Sequence, residues 1–232
     1  MKINSQPDSI WTLLRQVTDG CLRPGGTDLT RRGLDLCAFK PGSLLLDLGC
    51  GPGANLAFLA DSGFCVLGLD RSPEMLAEAA ARGSVLCADA ARLPLADECL
   101  DGIVCECVFS LVPDKALALG QCARVLKPGG RLLLSDLTVT GTNLVEPHET
   151  LTCCAAGAVT VKELRRLLEE AGFKVCALED YSRKLAELAA RLVWHGVALT
   201  ALSGLCQVGA TRPPSEPLGY WLVIAEKTGE QL

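Results

Sequence analysis

A glycine-rich turn between two apolar segments is the clearest candidate for chemistry in this sequence. Residues 46–54 read LDLGCGPGA, which ends a predicted buried strand and opens a predicted helix. Glycines let the backbone turn sharply and approach a ligand with no Cβ in the way. The spacing also satisfies the dinucleotide pattern of NAD and FAD sites, and a plain strand-to-helix turn is a third interpretation. The turn predicts a cofactor site without naming the cofactor.

Three aspartates stand where strands are predicted to end. Asp47 lies two places before Gly49, where a charged side chain is costly unless it fixes the loop or meets a ligand ammonium. Asp70 ends the second predicted strand, where a carboxylate can accept hydrogen bonds from two ribose hydroxyls. Asp89 follows the third, in a position to meet an adenine amino group. Together they favour a cofactor that contains adenosine.

The fourth predicted strand ends in Glu106 and Cys107. A buried carboxylate without a partner is costly, so Glu106 is predicted to bind a cofactor ammonium or to act as a base. Cys105 and Cys107 share a strand face, and with the pair at 153–154 they would offer four thiolates to zinc. The spacing C-x-C plus C-C is poor support for such a site. No metal site is therefore predicted.

Short apolar runs alternate with longer amphipathic stretches, which is typical of a parallel sheet with crossover helices. Strands are predicted over seven segments: 43–48, 64–69, 85–88, 102–107, 131–135, 174–178 and 220–225. Helices are predicted over 9–17, 55–61, 73–81, 115–126, 161–171 and 182 to about 205. The fold class is α/β, with the cofactor turn after the first strand.

Composition narrows the function. The chain has 232 residues, 49% of them apolar, with 22 basic and 27 acidic side chains for a net charge of −5. An acidic chain of this size lacks the broad positive field of a nucleic-acid-binding protein. The first twenty residues have no signal-peptide run, and no stretch reaches the roughly 20 apolar residues of a membrane helix. We expect a soluble, cytoplasmic protein with no membrane partner.

The glycine turn, the three aspartates and the Leu93-Pro94 pair resemble the class I S-adenosylmethionine (SAM) methyltransferases, specifically their broad small-molecule branch, over about residues 43–136. The resemblance implies that the turn faces the methionine part of SAM, that Asp70 binds ribose and that Asp89 binds adenine. The turn residues concerned are Gly49, Gly51 and Gly53, and the positions that usually border adenine are Arg71 and Ala90. It also implies a final antiparallel strand pair, which an NAD enzyme would not have.

The segment around Cys107 looks like the arsenite methyltransferases, which carry a cysteine there, preceded by Asn where this chain has Glu106. Their second arsenic-binding cysteine falls in a Cys-x-x-Gly-Ala motif, which Cys154 matches in CAAGA, and Cys21 is a loose candidate for a further one. Trivalent arsenic is soft and binds thiolates. With 13 cysteines in the chain, pocket lining or core packing is the alternative.

These observations combine into one expectation. The chain is predicted to form a single Rossmann-like domain over 1–232, with a seven-stranded, mostly parallel sheet in the order 3-2-1-4-5-7-6. Residues 1–42 would supply a helix and a lid, 43–136 the cofactor-binding core, and 137–232 the acceptor side. The expected reaction transfers a methyl group from SAM to a small-molecule acceptor. Arsenite methylation through Cys107 and Cys154, non-catalytic SAM binding and an NAD-dependent oxidoreductase are the alternatives.

Overall fold

The structure is a computed structural model that describes residues 14–15, 17–18, 20–140, 157–196 and 218–229. Its helices are α1 (Gly26–Cys37), α2 (Ala54–Asp61), α3 (Pro73–Ala79), α4 (Lys115–Val125), α5 (Val161–Glu170) and α6 (Ser182–Trp194). Its strands are β1 (Leu44–Leu48), β2 (Cys65–Asp70), β3 (Ser84–Cys87), β4 (Leu100–Glu106), β5 (Leu126–Val139), β6 (Val159–Thr160), β7 (Phe173–Asp180) and β8 (Leu218–Lys227). A short 3₁₀ turn, Phe109–Leu111, follows β4.

All eight strands belong to one sheet, ordered β3-β2-β1-β4-β5-β8-β7, with β6 paired to β5 off this path. Strands β1 to β5 run parallel, and β8 lies antiparallel between β5 and β7. The α/β class predicted from the alternating pattern is confirmed. The two-residue strand β6 is an eighth strand that the sequence analysis did not predict, since a pair of residues carries no periodicity.

The core lies on both faces of the sheet because successive side chains of a strand point to opposite sides. On β4, Ile103 and Cys105 pack with α4 and α5, whereas Val104 packs on the other face with α1 and α2. The central strands are thus buried on both sides, which explains their continuous apolar runs. Within the described part of the chain, no helix has the length and apolar character needed to cross a bilayer.

Two predicted segments differ from the structure. Besides the helix predicted over 9–17, the segment before β1 contains a 12-residue helix, α1, that was not predicted; its Gly33 lies so close to β5 that a Cβ there would be 2.5 Å from Leu133. Glycine lowers helix propensity, so packing rather than propensity determines this helix. The predicted helix from 182 to about 205 instead ends at Trp194, and Gly196 follows in the left-handed region at φ 91°. The helix predicted over 9–17 lies mostly outside the described residues.

The carboxyl ends of the parallel strands meet at one edge of the sheet. There the first residues after β1, the end of β2, Glu106 of β4 and the last third of β5 lie side by side. The amino end of β8 reaches the same edge because this strand runs antiparallel to β5. Ligands of open α/β sheets bind at this edge, so it is where the candidate site is sought.

Candidate functional site

The glycine turn after β1 has a backbone that only glycine adopts easily. Gly49 has φ 76°, and a Cβ there would be 2.2 Å from the side chain of Val108. Gly51 has φ 52°, but a Cβ there would meet nothing within 4 Å. Gly53, at φ 85°, is the residue before α2. Gly49 therefore permits close packing inside the protein, whereas Gly51 leaves open space beside the backbone, as a ligand cradle requires.

Asp70 fixes the far side of this turn. One of its carboxylate oxygens accepts the Gly51 N–H at 2.9 Å, and the other accepts the Ser72 N–H at 2.9 Å. The side chain is half-buried at the end of β2. Each oxygen keeps a lone pair free, so the carboxylate can hold the turn and still accept hydrogen bonds from a ligand.

The residues predicted to border an adenine lie after β2 and β3. Asp89 is exposed, and its Oδ1 accepts the Ala91 N–H at 2.8 Å, which leaves Oδ2 open. Arg71 is exposed beside Asp70, and Ala90 is half-buried against the main core. Adjacent pairing of β2 with β3 brings Asp70 next to Cys87, two residues before Asp89. The two aspartates therefore follow neighbouring strands at the same edge.

Glu106 is the centre of a buried polar cluster. Its carboxylate is 2.9 Å from Arg23 Nη2, and both side chains are nearly inaccessible, 3% and 6% exposed. It also accepts hydrogen bonds from Thr30 Oγ1 at 3.0 Å, Asn55 Nδ2 at 3.1 Å and Ser135 Oγ at 3.2 Å. A buried charge is tolerated when it is paired and hydrogen-bonded. Four donors meet that condition here.

Arg23 was predicted only as part of a lid loop, so its place in the cluster was missed. Besides the ion pair, its Nη2 contacts Thr30 and donates to Asn55 Oδ1 at 3.1 Å, and burial and Glu106 act in opposite directions on its pKa, which is raised overall. Its Nε is buried and has no hydrogen-bond partner among the described residues. The only sequence signal was indirect, since a buried Glu106 requires a cation from elsewhere in the chain.

Asp47 lies beside the cluster and is 3% exposed. Asn55 Nδ2 donates to its Oδ1 at 3.3 Å, while its Oδ2 is buried without a partner among the described residues. Burial raises the pKa of Asp47 to about 7, and the nearby Glu106 charge adds to the rise. An incompletely paired carboxylate next to an incompletely paired guanidinium is a suitable environment for a ligand that carries both charges.

Cys107 follows Glu106 in a strained backbone conformation. It has φ 55°, which is uncommon for a residue with a side chain and often marks a functional position. Its Sγ lies 3.1 Å from the hydroxyl of Tyr220, which is in turn 3.1 Å from Ser135 Oγ. Tyr220 is fully buried, and burial raises the pKa of its hydroxyl well above the usual value.

Asp136 holds the chain just beyond Cys107. Its two oxygens accept the Ser110 N–H at 2.9 Å and the Ser110 hydroxyl at 2.7 Å, and Oδ1 also accepts the Leu137 N–H at 2.7 Å. These bonds fix the 3₁₀ turn after β4 to the end of β5. Burial raises the pKa of Asp136 in spite of them. Its role is to shape the loop that carries Cys107.

The predicted cysteines differ in what the structure describes of them. Cys154 lies outside the described residues. Cys21 is half-buried near Arg23 and lines a cavity on the other side of that residue. Asp47, Glu106, Cys107 and the glycine turn do meet at the carboxyl edge of the sheet.

Comparisons with known proteins show which proteins this chain is similar to. A family model described as a methyltransferase domain matches residues 46–134. An arsenite methyltransferase of Halobacterium salinarum is 37% identical over 154 residues, which cover 59% of this chain and 39% of that protein. An O-methyltransferase of Pyrenophora dematioidea is 30% identical over 206 residues, 81% of this chain and 76% of that protein.

The chain spans less than half the length of some curated relatives: 39% of the arsenite methyltransferase and 46% of a Streptomyces fradiae transposon protein. Two solved structures share the fold. The [4+2]-cyclase SpnF has a TM-score of 0.73 at 22% identity, covering 93% of this chain and 92% of its own. Phosphoethanolamine N-methyltransferase 2 of Haemonchus contortus, in complex with SAM, has 0.74 at 19% identity, covering 98% and 59%.

The residues present fit the cofactor that the sequence resemblance implies. The open side of Gly51 leaves room for it, Asp70 and Asp89 have free oxygens, and the unpaired atoms of Asp47 and Arg23 are of opposite charge. The match to the family model covers Asp47, Gly51, Asp70 and Asp89 and begins after Arg23. The Pyrenophora O-methyltransferase matches most of both chains, and the shared fold is consistent with the same family. This chain belongs to the class I SAM-dependent methyltransferases.

Proposed function

We propose that this protein transfers a methyl group from SAM to a small-molecule acceptor and releases S-adenosylhomocysteine. The observation that carries the proposal is the turn in which Asp70 holds the Gly51 N–H at 2.9 Å beside open space. Such a turn positions backbone amides and a carboxylate for an adenosine-containing ligand. We also propose that residues 1–232 act as one domain and that the protein is cytoplasmic, with no nucleic-acid or membrane partner.

The adenosine end of the cofactor is assigned to the ends of β2 and β3. Asp70 would accept hydrogen bonds from the ribose hydroxyls through the lone pairs that its backbone donors leave free. Asp89 would accept from the adenine amino group through Oδ2. Arg71 and Ala90 would border the base.

The methionine end is assigned to Asp47, Glu106, Arg23 and the turn residues Gly49 and Gly53. The unpartnered Oδ2 of Asp47 suits an ammonium, and the positive charge of Arg23 would attract a carboxylate electrostatically. Glu106 would attract the ammonium electrostatically while holding Arg23 in place at 2.9 Å. Each buried charge then gains a partner, which lowers the cost of its burial.

Bound SAM supplies a methyl group made electrophilic by its sulfonium. The chain contributes by holding cofactor and acceptor in line and by excluding water. Four donors already occupy the Glu106 carboxylate, so we assign it a positioning role and not that of a proton acceptor. Cys107 is half-buried beside it, and we assign it to the acceptor side of the site.

The proposal is tested by calorimetric titration with SAM and by measuring S-adenosylhomocysteine release with a panel of acceptors. Asp70→Ala should weaken SAM binding by at least about tenfold, because charge-assisted hydrogen bonds are worth about 1.5–3 kcal/mol. Asp61→Ala, at the exposed end of α2, is the matched control and should bind SAM normally. NAD binding without SAM binding would contradict the proposal, and SAM binding without turnover on any acceptor would indicate a non-catalytic SAM-binding protein.

A second candidate is arsenite methylation, favoured by the thiol of Cys107 at the site and by the arsenite methyltransferase among the relatives. Thiolates would bind trivalent arsenic and leave its lone pair free to attack the methyl group. Turnover that requires arsenite and glutathione, and that is lost in both Cys107→Ser and Cys154→Ser, would support it. Turnover on organic acceptors that survives both substitutions would assign these cysteines to packing.

A further inference from the structure

The cavity that Cys21 lines lies beside the cofactor site, between the start of α1 and one face of α6. Its volume is about 230 Å³, and residues 25–28 and Arg23 line one wall, while Lys184, Glu187 and Arg191 line the other. The α6 residues fall three and four positions apart, so they share one helix face. Leu14 and Val17 of the N-terminal segment pack against Leu192 of the same helix.

The α6 wall carries more positive than negative charge, because Lys184 and Arg191 line it together with Glu187. Arg191 forms no ion pair with any described residue, and its one hydrogen bond goes to the Val17 carbonyl oxygen at 3.5 Å. Lys184 is paired with Glu187 at 3.0 Å. Both cationic side chains are exposed at the mouth of the cavity, where they remain available to a ligand.

The opposite wall offers donors without acceptors. Helix α1 has 12 residues and no side-chain cap at Gly25, so its first N–H groups lack partners within the helix. These groups and the helix dipole favour an anion. Arg23, which is 5% exposed, lies in the same wall with its Nε unpartnered. The two walls come from different parts of the chain, and both favour binding of an anion.

One acidic group opposes this preference. Asp28 is exposed in the first turn of α1 and has no ion pair among the described residues. Glu187 is already compensated by Lys184 and, at 3.4 Å, by Arg183. Asp28 should therefore weaken anion binding at this cavity, which gives the substitution Asp28→Asn a diagnostic direction.

We propose that this cavity binds an oxyanion group, carboxylate or phosphate, of the methyl acceptor. The inference rests on the proposed function and names the substrate class of the same site. Arg23 connects the two regions, since it lines the cavity and contacts Glu106 at the carboxyl edge of the sheet. An acceptor anchored by its anion at Arg191 and the start of α1 would extend its other end toward the cofactor site.

Binding is tested by titrating the full chain, with SAM present, against inorganic phosphate in one arm and benzoate in the other. Arg191→Gln should weaken binding of the preferred anion about tenfold, as expected for a charge-assisted contact. Asp28→Asn should tighten it two- to threefold, by roughly the energy of one surface charge pair. Arg165→Gln is the matched control, because Arg165 is an exposed arginine of α5 that does not line the cavity, and it should leave the affinity unchanged.

Turnover is then compared on acceptor sets that differ only in charge: a hydroxylated carboxylic acid, its phosphate counterpart and its uncharged amide. The acids should release more S-adenosylhomocysteine than the amide, and Arg191→Gln should remove that preference. Equal turnover on the amide, no anion binding by the wild type, or equal affinities in Arg191→Gln and Arg165→Gln would each overturn the inference. A separate SAM titration distinguishes this failure from failure of the proposed function, which predicts SAM binding in every variant.

Discussion

The two halves of the candidate site are built in different ways. The glycine turn is formed by neighbouring residues at 47–54, and its geometry depends on the backbone of Gly49 and Gly51. The cluster around Glu106 joins side chains that are far apart in the chain, at separations of 76 residues for Thr30 and 51 for Asn55. One half is local and the other is assembled by the fold.

This difference teaches where each half is vulnerable. The turn fails when a side chain cannot adopt its backbone angles or fit its close contacts. The cluster fails when one member leaves another buried charge without a partner. Substitutions in the two halves should therefore differ in size, in pH dependence and in whether a second substitution restores stability.

The largest effect is expected from Glu106→Gln. It leaves the guanidinium of Arg23 buried without its counter-ion, and breaking a buried pair in this way costs about 3–5 kcal/mol. Denaturant unfolding would measure the loss in the free energy of unfolding. In the double variant with Arg23→Gln, part of that loss should be recovered. Equal stability of Glu106→Gln and wild type would show that the cluster is not held by charge.

The next effect is expected from Gly49→Ala. It requires an alanine at φ 76° and places a Cβ 2.2 Å from Val108, so we expect a loss of about 3 kcal/mol and weaker SAM binding. Gly42→Ala is the matched control, at φ 79° with nothing within 4 Å of the added Cβ. Thermal unfolding should show that the control loses only about 1 kcal/mol of its free energy of unfolding. If the two variants lost equal stability, the backbone angle alone, and not the close contact with Val108, would account for the need for glycine at position 49.

A pH-dependent difference is expected from Asp47→Asn. Unfolded Asp47 ionises near 3.8, whereas burial raises the pKa in the folded protein to about 7. Between these values the folded state holds a proton that the unfolded state has lost, so raising the pH lowers stability. From pH 5 to pH 8 the wild type should lose about 2–3 kcal/mol relative to Asp47→Asn. Parallel pH profiles for the free energy of unfolding would contradict this environment for Asp47.

The smallest effect is expected from Tyr220→Phe. The hydroxyl bridges Cys107 and Ser135 at 3.1 Å each, and a hydrogen bond of this kind contributes about 1 kcal/mol net. Tyr181→Phe, whose hydroxyl donates to the carboxylate of Glu179 near the surface, should lose less. Urea unfolding of both variants would rank them. A larger loss of stability in Tyr181→Phe than in Tyr220→Phe would show that the Tyr220 hydroxyl does not support the cluster around Glu106.

The sequence by itself determined the parts of this protein that depend on local pattern. Continuous apolar runs, their alternation with amphipathic stretches and the glycine turn were enough to predict the α/β class and where a cofactor turn lies. The aspartate Asp70 could be placed at the end of a strand because strand ends follow from the same pattern. Backbone preference and periodicity act between neighbours, so they can be read without knowing the fold.

Only the tertiary structure decided which side chains complete the site. It brought Arg23 to Glu106 and Tyr220 to Cys107, and it formed helix α1 around a glycine that packs against Leu133. It also ended α6 at Trp194 and formed the cavity between α6 and the start of α1. These contacts join residues many positions apart. Their energy comes from burial and from pairing of charges, which no local pattern encodes, and so they become visible only when the chain is folded.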